Sequence, residues 1–99
     1  MSIHSDTYMG LDDSKKSIAK LFLHDKPFLL LKAISESRQP VYATMISKKI
    51  DCSYAYIVRL IKIMNKLGLI DFEGSNHKKI LNLTPKGKKI FKALFELEH

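Results

Sequence analysis

The stretch that decides the fold is SYAYIVRLIKIMNKLGLI, residues 53–70. Ser53 is the kind of residue that closes the start of a helix, and Gly68 the kind that ends one. Between them Ile57, Leu60, Ile61 and Met64, with Leu67 at the end, recur at helical spacing and give the helix one buried face. After Gly68 the period falls to two. Leu69-Ile70-Asp71-Phe72-Glu73 reads as a strand, Gly74-Ser75-Asn76-His77 as a turn, and Lys79-Ile80-Leu81-Asn82-Leu83 as a second strand, together a hairpin with a basic tip. Thr84 then caps a last helix with Pro85 at its first position, and Ile90, Phe91, Leu94 and Phe95 supply its apolar face.

Upstream of the deciding stretch, Asp51-Cys52-Ser53 makes a tight turn, preceded by a helix over about Ala43 to Ile50 with Ile46 and Ile50 four residues apart. Gln39-Pro40-Val41-Tyr42 stops the helix before it, and the residues after Pro40 are expected to form a short edge strand. That earlier helix has Pro27 in its first turn, shows Leu30, Leu31 and Ile34 on one face, and fades near Ser37. A first helix is expected from near Leu11, capped by Asp12 or Asp13, with Ile18, Leu21 and Phe22 on its apolar side; His24-Asp25-Lys26 breaks it. Two short helices joined by a three- or four-residue turn make a helix-turn-helix unit, and a hairpin directly after the second helix is a wing. The expected fold is therefore mainly α with a small β-hairpin wing, a winged helix-turn-helix. Residues 1–10 read as a flexible tail and 11–96 as the domain. Residues 97–99, Leu97-Glu98-His99, look like the remnant of a cloning site before a purification tag.

Ninety-nine residues hold one core and no second domain. The longest aliphatic or aromatic run is Phe28-Leu29-Leu30-Leu31, far short of the ~20 apolar residues of a membrane span. The N-terminus has no basic-then-apolar signal pattern, so a cytoplasmic location is expected. Charge is the informative number. From Cys52 to Phe95 nine basic residues face only Asp71 and Glu73, and this stretch carries the entire net charge of +7. Such asymmetry points to a polyanionic partner, with plain solubility as the alternative.

At this point the sequence resembles the winged helix-turn-helix regulators, with the MarR-type and related small archaeal regulators closest. The resemblance lies in Ile57, Arg59-Leu60, Ile61, Met64 and Gly68-Leu69-Ile70, in Leu83-Thr84-Pro85-Lys86-Gly87, and in Ile46, Ser47 and Ile50 upstream; it covers about Phe28 to Leu94. It implies that the helix over 53–67 is the recognition helix, entering the major groove with Ser53, Tyr54, Ala55, Tyr56, Val58, Arg59 and Lys62. A helix fits that groove and its early residues reach base edges. Arg59 can fork onto guanine, or touch a phosphate or a neighbouring carboxylate. Tyr54 and Tyr56 can bond phosphates or pack on thymine methyls, or one of them packs against the preceding helix. Lys48 and Lys49 would sit near the backbone, and Asn76, His77, Lys78 and Lys79 at the wing tip. Family members often place an arginine there; this chain has none, and lysine suits phosphate contacts instead. Ile63 is aliphatic where the family usually carries a polar residue, so part of this helix is free to contact another element or subunit. Exposed Val58 and Ile63 would also fit a protein interface.

The expected function is a sequence-specific double-stranded DNA-binding transcriptional regulator, working as a homodimer paired through its first and last helices unless those residues only close the core. Two other readings compete: a winged-helix module for protein–protein contacts in transcription or replication, and a non-specific chromatin-type DNA binder. Catalysis is not expected: there is no glycine-rich phosphate loop, and no nucleophile sits in a catalytic context. No cofactor or metal is expected either, because His4, His24, His77 and His99 lack ligand-like spacing. Cys52 falls at a core position of the turn, where a small apolar side chain is expected.

Overall fold

The computed structural model describes residues 13–74 and 79–98. Helices α1 (Asp13–Leu21), α2 (Asp25–Glu36), α3 (Ala43–Lys49) and α4 (Tyr54–Lys66) precede strands β1 (Ile70–Glu73) and β2 (Ile80–Leu83), and α5 (Pro85–Glu98) follows. Apart from a short strand expected after Pro40, the order is the one the sequence pattern predicts. Leu11 and Asp12, expected at the start of α1, lie outside the described residues. α5 runs on through Leu97 and Glu98, where nothing in the sequence breaks a helix.

One apolar core joins the elements. Leu30, Leu31, Ile46, Ile57, Met64, Leu69 and Ile70 are all fully buried in it, and Pro27 is fully buried as well. α4 contributes all four residues of its predicted stripe. Burying a side chain of this size is worth about 1.5–3 kcal/mol, so α4 is fixed chiefly by what lies under it. α3 and β1 pack against α4, while α5 packs against α2 and β2. Ile18, Leu21 and Phe22 of α1 and its exit, and Ile90 and Phe91 of α5, lie half-buried on the edge of this core. Phe91 stacks on Phe28 with ring centroids 5.5 Å apart.

The helix-turn-helix turn is tight for local reasons. Ile50 caps α3 by donating to Ile46 O, and the Cys52 N–H reaches Ser47 O at 3.0 Å. Asp51 adopts φ 54°, a left-handed conformation that Asp tolerates better than most residues. Lys26 of α2 donates to Ile50 O at 3.1 Å and braces the turn from below. Cys52 is half-buried against the core, its thiol 3.7 Å from Ile50 O.

The far end of α4 closes by a Schellman motif. Leu69 N–H bonds Met64 O at 2.9 Å, Gly68 N–H bonds Asn65 O at 3.0 Å, and Gly68 sits at φ 79°. From there the chain enters the antiparallel hairpin, in which Ile70 faces Leu83 and Phe72 faces Leu81. The edge strand expected after Pro40 is absent: residues 40–42 carry no strand. One bond, Leu81 N–H to Val41 O at 2.9 Å, lays the segment beside β2, and Tyr42 then turns away to cap α3. One bond is too short a ladder for a strand.

Candidate nucleic-acid interface

α4 presents three faces. Its buried stripe occupies one. At 100° per residue, Ala55, Arg59, Lys62 and Lys66 lie diametrically opposite, and all four are exposed. They form a ridge about 16 Å long with three positive charges and no acid. Tyr54 and Val58 occupy the flank towards the hairpin. Tyr56, Ile63 and Leu67 occupy the opposite flank.

The two tyrosines divide the alternatives between them. Tyr56 is half-buried and packs on the core. Tyr54 stands out, 54% exposed. Ser53 is occupied locally, its Oγ accepting the Tyr56 N–H at 3.1 Å as the helix cap. Val58, expected to be exposed, is half-buried because it forms the wall of a groove. Ile63 is 41% exposed on the other flank. Lys48 and Lys49 are exposed in the last turn of α3, where cations also suit the helix dipole.

The groove is about 540 Å³ in volume and opens between the start of α3, the flank of α4 and the hairpin. Tyr42 and Thr44 line it from α3, Tyr54, Val58 and Lys62 from α4, and Phe72 and Lys79 from the hairpin, over a floor of Ile61 and Leu81. Lys79 Nζ lies 4.9 Å from the Phe72 ring centroid. This cation–π contact holds the charge at the loop end of the hairpin and on the rim of the groove. Asn76, His77 and Lys78 lie outside the described residues. Opposing charge on the hairpin is limited to exposed Asp71 and Glu73, and Glu73 accepts a hydrogen bond from Asn82 at 2.8 Å.

Sequence reasoning missed Tyr42, Thr44 and Phe72 as groove residues. Tyr42 was absorbed into an expected strand, Thr44 is one polar residue in a short helix, and Phe72 looks like any core aromatic of a strand. Only the crossing of α3, α4 and the hairpin brings them together. The +7 stretch also divides on folding. Lys62 and Lys79 reach the groove, whereas Lys86 donates to Leu67 O at 3.2 Å and Lys88 borders the loop after α2. Among the described residues no cluster of His, Cys, Asp or Glu could hold a metal ion, and no helix is long and apolar enough to cross a membrane.

No protein-family model matches the sequence, and no curated protein is significantly similar to it. Solved structures do match. AF1382 from Archaeoglobus fulgidus is 27% identical at a TM-score of 0.69, over 79% of this chain and 89% of that one. A MarR-family transcriptional regulator from Rhodococcus sp. RHA1 is 16% identical at a TM-score of 0.66, over 92% of this chain. MepR, a transcription regulator of the Staphylococcus aureus multidrug efflux pump MepA, is 17% identical at a TM-score of 0.69, over 85% of this chain. The match spans 66% of the length of each of these two regulators. Two antiparallel strands following a pair of helices joined by a tight turn, with these neighbours, identify the architecture: the chain has the winged helix-turn-helix fold of the MarR-type regulators.

Proposed function

We propose that this protein is a sequence-specific double-stranded DNA-binding transcriptional regulator. α4 lies in the major groove, and lysines of the hairpin and of the end of α3 lie on the sugar-phosphate backbone. The observation that carries the reading is the ridge of α4: Ala55, Arg59, Lys62 and Lys66, exposed and free of acid, on a helix immobilised by four buried residues. A rigid helix with cations along its outer face matches a groove flanked by phosphates. Arg59, one turn into the helix, supplies the fork that pairs with guanine O6 and N7.

The protein acts as a homodimer in this reading. Phe22, Leu23, Phe28 and Leu94 line an apolar cleft where α1, α2 and α5 meet, and Leu23 is 81% exposed. Pairing there presents two copies of α4 to half-sites about 34 Å apart. It acts in the cytoplasm and without catalysis.

Fluorescence anisotropy against random and genomic-fragment duplexes at two salt concentrations tests the reading. Tight, selective, salt-sensitive binding that Arg59→Ala relaxes supports it. Equal binding to every duplex moves the assignment to a non-specific chromatin-type role. Absence of binding at low salt removes DNA altogether and leaves a protein-interaction module.

A further inference from the structure

We infer that the hairpin-facing flank of α4 reads the 5-methyl group of thymine, which makes Tyr54 and Val58 specificity-determining residues beside Arg59. The inference rests on the DNA-binding reading above. It starts from a mismatch inside the groove. The lips are cationic, with Lys62 on α4 and Lys79 on the hairpin, and so attract a polyanion. The wall between them is apolar: the outstanding ring of Tyr54 and half-buried Val58, over buried Ile61 and Leu81. Phosphates have no use for such a wall. Nor have most groups on the major-groove edge of a base pair, which are hydrogen-bond donors and acceptors. The thymine methyl is the apolar exception.

Spacing agrees with this assignment. Tyr54 and Val58 are one helical turn apart, about 6 Å along the axis, close to two base-pair steps of about 3.4 Å each. Arg59 follows Val58 directly and projects from the neighbouring ridge. The flank and the ridge together therefore select a guanine beside thymine-containing pairs, and the apolar part of that selection comes from the methyl groups alone.

Uracil isolates the claim, because it pairs as thymine does and carries the same charge but lacks the methyl. A randomised duplex pool is amplified with dTTP, binders are selected, and the selected sequences are remade with dUTP. The thymine form is expected to bind about threefold to tenfold more tightly per contacted position. Val58→Ala brings the thymine-to-uracil ratio towards one and leaves the salt slope unchanged. Val58→Thr, which keeps the shape of the side chain and one of its two methyl groups, keeps part of the ratio and guards against a folding artefact; circular dichroism melts confirm that both variants are folded. Equal affinity of the wild type for thymine and uracil duplexes overturns the inference while the DNA-binding reading stands. Failure to bind either form at low salt overturns both.

Discussion

Both ends of α4 meet the hairpin, in opposite ways. At the C-terminal end the chain is crowded and answers its own polar groups. Thr84 Oγ1 donates to Gly68 O and accepts the Gly87 N–H at 2.9 Å, Thr84 N–H bonds Leu69 O at 3.0 Å, and Asn65 Nδ2 bonds Ile70 O at 2.7 Å. Towards the N-terminal end the helix and hairpin part around a groove. Along its outer side the side chains of Arg59, Lys62 and Lys66 make no hydrogen bond to another described residue. The first region spends its chemistry on folding. The second keeps its chemistry for something outside the chain. Substitutions should therefore separate cleanly into those that move stability and those that move binding.

The largest effect is expected at the seam. A Cβ on Gly87 would lie 2.2 Å from the Leu69 carbonyl oxygen, and backbone cannot step aside as a side-chain tip can. Leu69 is itself fully buried and bonded at both its N–H and its C=O. Gly87→Ala should cost about 3 kcal/mol or more, a fall in Tm of over ~10 °C in a domain of this size. A thermal melt checks it. A loss of under ~1 kcal/mol would mean the seam yields more easily than its bonds suggest.

Arg59→Ala should do the reverse. The side chain is exposed and holds nothing together, so stability should stay within about 0.5 kcal/mol. Affinity for a selected duplex should fall by about 1–3 kcal/mol, with specificity relaxed at one position. Equal losses on selected and random duplexes would reassign Arg59 to a phosphate.

How legible this division was in the sequence depends on the range of the physics involved. α4 was readable from end to end because cap, stripe and stop are local: Ser53, the Ile57–Met64 stripe and Gly68 each act within a turn of themselves. Leu83-Thr84-Pro85-Lys86-Gly87 was readable as a strand-to-helix transition. What fixes its glycine was not, because the Leu69 oxygen belongs to the turn between α4 and β1, eighteen positions earlier. The edge strand after Pro40 failed for the converse reason. Its residues suit a strand, but Tyr42 is already committed to α3 and one ladder bond remains. The groove was least legible. Its walls come from three elements, and two of its three aromatic residues, Tyr42 and Phe72, were assigned elsewhere. The division of Tyr54 from Tyr56 waited on knowing which flank of α4 the hairpin covers.

Smaller than the effect at Gly87 is that of Thr84→Val, which keeps the shape and removes the two hydroxyl bonds. It should cost about 1–2 kcal/mol, or roughly 4–8 °C per kcal/mol in Tm. Thr84→Ser should recover most of it. DNA affinity measured well below Tm should not change for either variant. A change there would show that the seam positions α4 for binding as well as holding it.

The smallest expected effect is the sharpest test of where the charge works. Lys79 is held over Phe72 on the rim of the groove, whereas Lys92 lies on α5, the helix that packs against α2 and β2. Lys79→Gln forfeits an exposed cation–π contact worth about 0.5–1 kcal/mol, so the melt should shift only slightly. The plot of log affinity against log salt should lose about 0.9 from its slope, the signature of one phosphate contact removed. Lys92→Gln removes the same charge and lowers the net charge equally, so general attraction between a basic protein and DNA predicts the same change for both. Contact at the groove predicts a change for Lys79 and none for Lys92. If the two variants lose slope equally, the excess charge acts as a diffuse field, and the groove has no special claim on the backbone.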